Sequence, residues 1–128
     1  MGTGQLGQQE LNQISERIIG CAYRVSNELG SGFLEKVYES ALAYELIRSG
    51  LQTKRQCPIT VKYDGVIVGE FCADLLVESC VLVELKAAKA FDENHMAQCI
   101  NYLRATGLKL CLLINFGTPR VQIKRIAN

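Results

Sequence analysis

The chain has no tryptophan, one histidine and two prolines in 128 residues. Its six cysteines contain no C-x-x-C pair, and with a single histidine this excludes the common zinc arrangements of clustered thiolates and imidazoles. No run approaches the ~20 apolar residues of a membrane-spanning helix. The longest, such as Leu110 to Ile114, have the length of a strand. The opening residues Met1-Gly2-Thr3-Gly4-Gln5-Leu6 lack the basic-then-apolar order of a secretory signal, and Leu6 stands where a myristoylation signal carries Ser or Thr. An excess of charge is missing too. Fourteen Lys and Arg against thirteen Asp and Glu leave a net charge of +1, which excludes a histone-like or an acidic solvating chain but leaves room for a local basic patch. These absences lead us to expect a cytoplasmic location, no membrane contact, and cysteines that are buried thiols (Cys21, Cys57, Cys72, Cys80, Cys99 and Cys111).

What is present is a globular composition, 48% apolar and 21% charged, in a length that suits one domain with a real core. We expect a single domain over residues 1–128, with residues 1–9 a flexible N-terminus. From Gln8 onward, Leu11, Ile14, Ile18, Ala22, Val25 and Leu29 recur at helical spacing until Gly30-Ser31-Gly32. A second helical pattern turns Leu34, Val37, Ala41, Leu42 and Leu46 inward and stops at Gly50. Strand patterns follow: Gln52 to Gln56, a break at Cys57-Pro58, then a hairpin from Ile59 to Phe71 about Asp64-Gly65, whose residue types supply the positive φ angles of a two-residue turn. Ala73 to Val77 and Val81 to Leu85 pair about Glu78-Ser79-Cys80, and Val66 to Val77 fits either one bent strand or two. Asp92 is a good helix N-cap, and the stripe Met96, Cys99, Ile100 and Leu103 runs to Gly107. Lys109 to Asn115 is a strand buried on both faces, and Val121 to Ile126 an edge strand. The fold class is α/β or mixed α+β, a mixed sheet flanked by helices.

Two Val- and Leu-rich strands carry charges where a core face should be apolar. Glu84 and Lys86 share one face of their strand, and a turn centred on Ser79 puts Asp74 directly opposite Glu84, with Leu75 and Leu85 on the other face. Two adjacent carboxylates repel unless a cation lies between them, and hard oxygen donors suit Mg²⁺ or Mn²⁺. A lysine beside them can hold or deprotonate a water and stabilise charge growing on a phosphate. The competing reading is a cross-strand salt bridge. On the following helix, His95, Gln98 and Tyr102 share a face that can position a phosphate or a base, or can be an ordinary half-buried polar face, with His95 a capping residue. Glu35 and Tyr38 share a face at the start of the second helix, where Glu35 also suits the helix dipole and Tyr38 a core position.

Taken together, Gly32-x-x-Glu35-x-x-Tyr38, Ala73-Asp74-Leu75-Leu76-Val77-Glu78, Val83-Glu84-Leu85-Lys86-Ala87, Gln98-x-x-x-Tyr102-Leu103 and Leu113-Ile114-Asn115-Phe116-Gly117 resemble the GxxExxY family of the PD-(D/E)XK nuclease superfamily, from about Ile14 to Ile126. The resemblance implies a restriction-endonuclease-like core of a helix, three antiparallel strands, a helix and a further strand. It implies metal binding by Asp74, Glu84 and the Leu85 carbonyl, Lys86 as the catalytic lysine, and Glu35 as an additional acidic residue. Gln98 and Tyr102 match a Gln-x-x-x-Tyr motif of recombination nuclease domains, and His95 falls where many members carry His. Tyr38 completes the substrate-positioning set. Cys72, Ser26 and Ser31 depart from the family, where Arg, His and Pro are common. The implied function is Mg²⁺- or Mn²⁺-dependent hydrolysis of phosphodiester bonds in nucleic acid, expected to be DNA. A homodimer or a larger protein partner would supply specificity. Arg104, Lys109, Arg120, Lys124 and Arg125 are candidate backbone contacts or plain solubilising charges. The alternative is a catalytically silent nucleic-acid-binding or adaptor module of the same fold.

Overall fold

The computed structural model describes residues 7–128. Helix α1 spans Gln8–Leu29 and α2 Glu35–Arg48. Strands β1 (Thr53–Tyr63), β2 (Val66–Val77) and β3 (Val81–Lys86) follow, then α3 (Glu93–Thr106), β4 (Leu110–Asn115) and β5 (Gln122–Ala127). The five strands form one mixed sheet in the order β1-β2-β3-β4-β5, with only β3 and β4 parallel and joined by the α3 crossover. This is the expected helix, three-strand meander, helix and strand, with α1 before it and β5 after. Of the segment expected to be flexible, residues 1–6 lie outside the described residues, and α1 already begins at Gln8.

Apolar residues at helical and strand periods divide between two cores. Helices α1 and α2 cover one face of the sheet, where Ile18, Val25, Leu42 and Leu46 pack on Leu75, Val83, Leu85, Leu112 and Ile114. On the other face, Cys99, Tyr102 and Leu103 of α3 pack on Leu82, Cys111 and Leu113. Strands β3 and β4 are therefore buried on both faces, and their near-continuous Val and Leu follow from that.

The turns obey their residues. Asp64 and Gly65 take φ of 53° and 78°, and Glu78 and Ser79 take 53° and 57°. Asp92 caps α3 as expected, accepting from the His95 amide at 3.0 Å, and Gly107 ends it in the left-handed region.

Three readings need correction, and one open alternative is settled. Cys57-Pro58 does not break the chain: β1 runs through it, since an edge strand has one row of N–H groups facing no neighbour and can hold a proline. Val66 to Val77 is one strand. The inward face of α2 carries Tyr38, Glu39, Leu42, Ala43 and Leu46, leaving Leu34 80% exposed and Val37 exposed, and on α3 Ile100 is exposed while Tyr102 takes the inward place. Only Cys21, Cys99 and Cys111 are buried; Cys72 is exposed and Cys57 and Cys80 are half-buried. In both helices a tyrosine displaces an aliphatic residue from the core because its larger apolar ring is buried and its hydroxyl finds a backbone carbonyl.

The corrected face of α2 predicts that Leu42→Ala lowers unfolding free energy by about 2–5 kcal/mol, whereas Leu34→Ala changes it by less than about 0.5 kcal/mol. Urea unfolding of the two variants checks this, and equal losses would restore the original helix face.

Candidate active site

The register of β2 and β3 pairs Leu75 with Val83, Leu76 with Leu82 and Val77 with Val81. Its next step sets Asp74 opposite Glu84, and there the ladder stops. The Asp74 amide donates to Glu84 Oε1 at 2.9 Å, and the Leu85 amide donates to Asp74 Oδ2 at 2.8 Å. Each carboxylate takes a backbone proton from the opposite strand. The second oxygen of each accepts no hydrogen bond among the described residues. Leu75 and Leu85 point into the α1–α2 core, as expected.

Strand β1 is distorted at the same level. Gln56, between the pairs Arg55–Leu75 and Cys57–Ala73, has a φ of 54°. Ala73, Leu75 and Val77 would share a face in a regular strand. Here Leu75 and Val77 pack with α1 and α2 while Ala73 packs with α3, so the change of face falls at Asp74.

Glu84 is 4% exposed in a strand otherwise built of Val and Leu up to Lys86. Burial, then repulsion from Asp74, pushes its carboxyl up to about 7, against the Asp74 amide bond and the Lys86 charge. Burial raises Asp74 as well, with further repulsion from Glu39 and Glu35, while the Leu85 amide and Lys86 act the other way. Lys86 takes part in none of the ion pairs among the described residues, so a simple cross-strand salt bridge is not what this structure shows.

The end of β3 is clamped from β4. Asn115, fully buried opposite Lys86, accepts from the Ala88 and Gly117 amides at 3.0 and 2.9 Å and donates to the Ala88 carbonyl at 2.9 Å. The Phe116 amide donates to the Lys86 carbonyl at 2.8 Å. A side chain at Gly117 would meet the Ala88 backbone, its Cβ 2.4 Å from the nitrogen. The segment after Lys86 is held by backbone contacts that only asparagine and glycine at these places allow.

The other expected residues distribute unevenly. Tyr38 is fully buried and stacks on Phe116 with ring centroids 4.7 Å apart; its hydroxyl donates to the Gly30 carbonyl at 2.6 Å and accepts from the Phe33 amide. Its hydroxyl is therefore engaged in the α1–α2 turn and not at the carboxylates. Glu35 is exposed at the start of α2, and among the described residues no group of three or more His, Cys, Asp or Glu side chains is arranged to hold a metal ion. Gln98 donates to the Tyr102 hydroxyl at 3.0 Å, which reaches the Cys72 carbonyl at 3.4 Å, two residues before Asp74. Burial and the two carboxylates push the Tyr102 phenol up to about 12, so it remains a donor at neutral pH. His95 is bound up in the α3 capping box with Asp92. Of the cations, Arg104 lines a cleft beside Tyr102, Arg125 is tied to Ser15 and Asn12 of α1, Lys124 lies over Phe91, and Lys109 and Arg120 are exposed elsewhere.

Sequence reasoning missed Glu39. It is buried, accepts from Arg55 Nε at 3.0 Å and Gln56 Nε2 at 2.9 Å, and lies near enough to raise Asp74. Its place one turn after Glu35, beside Tyr38, was the available signal.

The sequence matches the PD-(D/E)XK nuclease superfamily over residues 12–126, and the chain belongs to that superfamily. No curated protein matches it by sequence. Among solved structures, the protein SSO0001 shares its fold with a TM-score of 0.56 at 17% identity, over 94% of this chain. The chain spans 60% of the length of SSO0001. An alkaline exonuclease from Laribacter hongkongensis aligns over 97% of this chain and 72% of its own, at 15% identity and a TM-score of 0.45. Nucleases of the superfamily generally use divalent metal ions. The donors here fit such an ion: one buried and one half-buried carboxylate, each with an oxygen unclaimed by hydrogen bonds among the described residues, suit the one or two carboxylates by which Mg²⁺ is usually held. Among the described residues no helix is long and apolar enough to cross a membrane.

Without metal, Glu84 prefers its proton in the folded state, since its folded value near 7 lies above the ordinary 4.5. Stability is therefore gained as pH falls from above 7 toward 4.5, and the cost of the buried charge is complete above 7. Glu84→Gln should melt higher than the parent at pH 8 in EDTA, by up to about 3 kcal/mol in stability, with the difference shrinking toward pH 5. Thermal melts across that range check it, and a pH-independent difference would refute the shift.

Proposed function

We propose that the chain is a metal-dependent nuclease of the GxxExxY group, hydrolysing phosphodiester bonds in nucleic acid, with DNA the expected polymer and residues 1–128 a single domain. The observation that carries this is the Asp74–Glu84 pair, Glu84 buried and Asp74 half-buried, mutually repelling, each with one oxygen free of hydrogen bonds among the described residues. Asp74, Glu84 and the Leu85 carbonyl would hold Mg²⁺ or Mn²⁺. Bound there, the ion lowers the pKa of water and offsets phosphate charge.

The chain's own groups supply the rest. Lys86, on the same strand face as Glu84, orients the attacking water and stabilises the charge that grows on the phosphoryl oxygens as the new P–O bond forms and the ester P–O bond breaks. The Gln98 amide, held by the Tyr102 hydroxyl, donates its second proton to the substrate and aligns it. Glu35, whose charge acts on both Asp74 and Glu84, adds negative charge that strengthens cation binding. Tyr38 acts at one remove, through its stack on Phe116 and the Phe116 bond to the Lys86 carbonyl. His95 sets the first turn of α3, which carries Gln98 and Tyr102. Six free thiols support a reducing, cytoplasmic setting, and specificity would come from a second copy or a larger partner.

The test separates the roles of two residues. Asp74→Asn should lose Mn²⁺ binding and cleavage together. Lys86→Ala should keep or strengthen Mn²⁺ binding while cleavage drops roughly hundredfold or more. Calorimetric Mn²⁺ titration beside a nuclease assay decides it. Metal binding without cleavage by the parent would make this a silent binding module, and no metal binding at all would overturn the site.

A further inference from the structure

A cleft of about 980 Å³ lies between the β1–β2 hairpin and α3, and Tyr102 is part of its lining. The lining includes Lys62 and Arg104, the amides of Asn94 and Asn101, and Phe71, and among the described residues it contains no carboxylate, although acids and bases are nearly balanced in the chain. Phe71 is tilted against Tyr102 with ring centroids 6.0 Å apart, yet it stays 49% exposed. Tyr102 links the cleft to the site just described: it lines the cleft, and its hydroxyl reaches the Cys72 carbonyl, two residues before Asp74.

We propose that this cleft is the track for an unpaired strand of nucleic acid, with Phe71 as a stacking platform and Lys62 and Arg104 as phosphate contacts. The inference rests on the nuclease reading and names its substrate class. Each unpaired nucleotide offers a flat π-face, a phosphate and base-edge donors and acceptors, which match the ring, the two cations and the amides in turn. A duplex keeps its base faces stacked inside and gives Phe71 nothing to meet. Asn94 and Asn101 sit on α3, the helix that also carries Gln98 and Tyr102, so a strand bound along the cleft leads a phosphodiester toward Asp74 and Glu84.

Fluorescence anisotropy of the full chain in EDTA at low salt tests this, with labelled oligo-dT, oligo-rU and a duplex of equal length. At least one single strand should bind roughly tenfold or more tightly than the duplex, and the tighter of the two identifies the sugar. Phe71→Ala should weaken that binding roughly tenfold, with Phe71→Trp restoring it. Arg104→Ala should reduce the salt slope by about one and keeps the test open should Phe71→Ala fail to fold. Duplex binding as tight as single-strand binding, or no effect of either substitution, overturns the inference. If those results come with Mn²⁺-dependent cleavage that needs Asp74 and Lys86, the nuclease reading survives its loss. If Phe71-dependent strand binding appears without any cleavage, the cleft stands and the nuclease reading falls.

Discussion

Two carboxylates take the backbone protons that a regular antiparallel ladder would deliver to carbonyls, and the site follows from that exchange. Asp74 and Glu84 are held by the opposite strand's amides, so their geometry is set by the backbone and not by flexible side-chain packing. Satisfying one oxygen of each makes burial tolerable. Leaving the other makes the pair short of positive charge, and Glu84 shows it by holding its proton up to about 7. A regular ladder in this place would have been more stable and inert.

The surrounding architecture maintains that opening. Glu39, bonded to Arg55 and Gln56, braces β1 where Gln56 turns left-handed opposite Asp74. On the far side, Asn115, Phe116 and Gly117 fasten the chain after Lys86 to the end of β4. Tyr38 joins the α1–α2 turn to that clamp through one aromatic stack. The conformational strain at Gln56 and the close approach at Gly117 lie at the two flanks of the carboxylate pair, where structure serves position more than stability.

Much of this was legible in the sequence. Strand alternation and a turn centred on Ser79 were enough to face Asp74 with Glu84, because a period of two leaves no freedom once the turn is placed. The α3 start was legible from Asp92, whose side chain has a specific backbone donor to meet. The α2 face was not. Its Leu34 and Val37 lie at helical spacing but outside the core, and Tyr38 and Glu39 took the inward positions for reasons of partner: the Gly30 carbonyl and the Arg55 guanidinium, both outside α2. The same holds for Asn115, two of whose three bonds reach Ala88, 27 residues away in the loop after β3. Local periodicity reports burial; it does not report which buried polar group has found a remote partner.

If the Asp74–Glu84 pair seats a divalent ion, as proposed, that ion is visible by diffraction. Anomalous diffraction from crystals grown with Mn²⁺ tests it most directly. The expected result is a single strong anomalous peak in contact with Asp74 and Glu84, with the Leu85 carbonyl turned toward it and Lys86 nearby but not bonded to it. A map without a peak there, in which the Lys86 ammonium instead bridges the two carboxylates, would show an ion pair where we place a metal site.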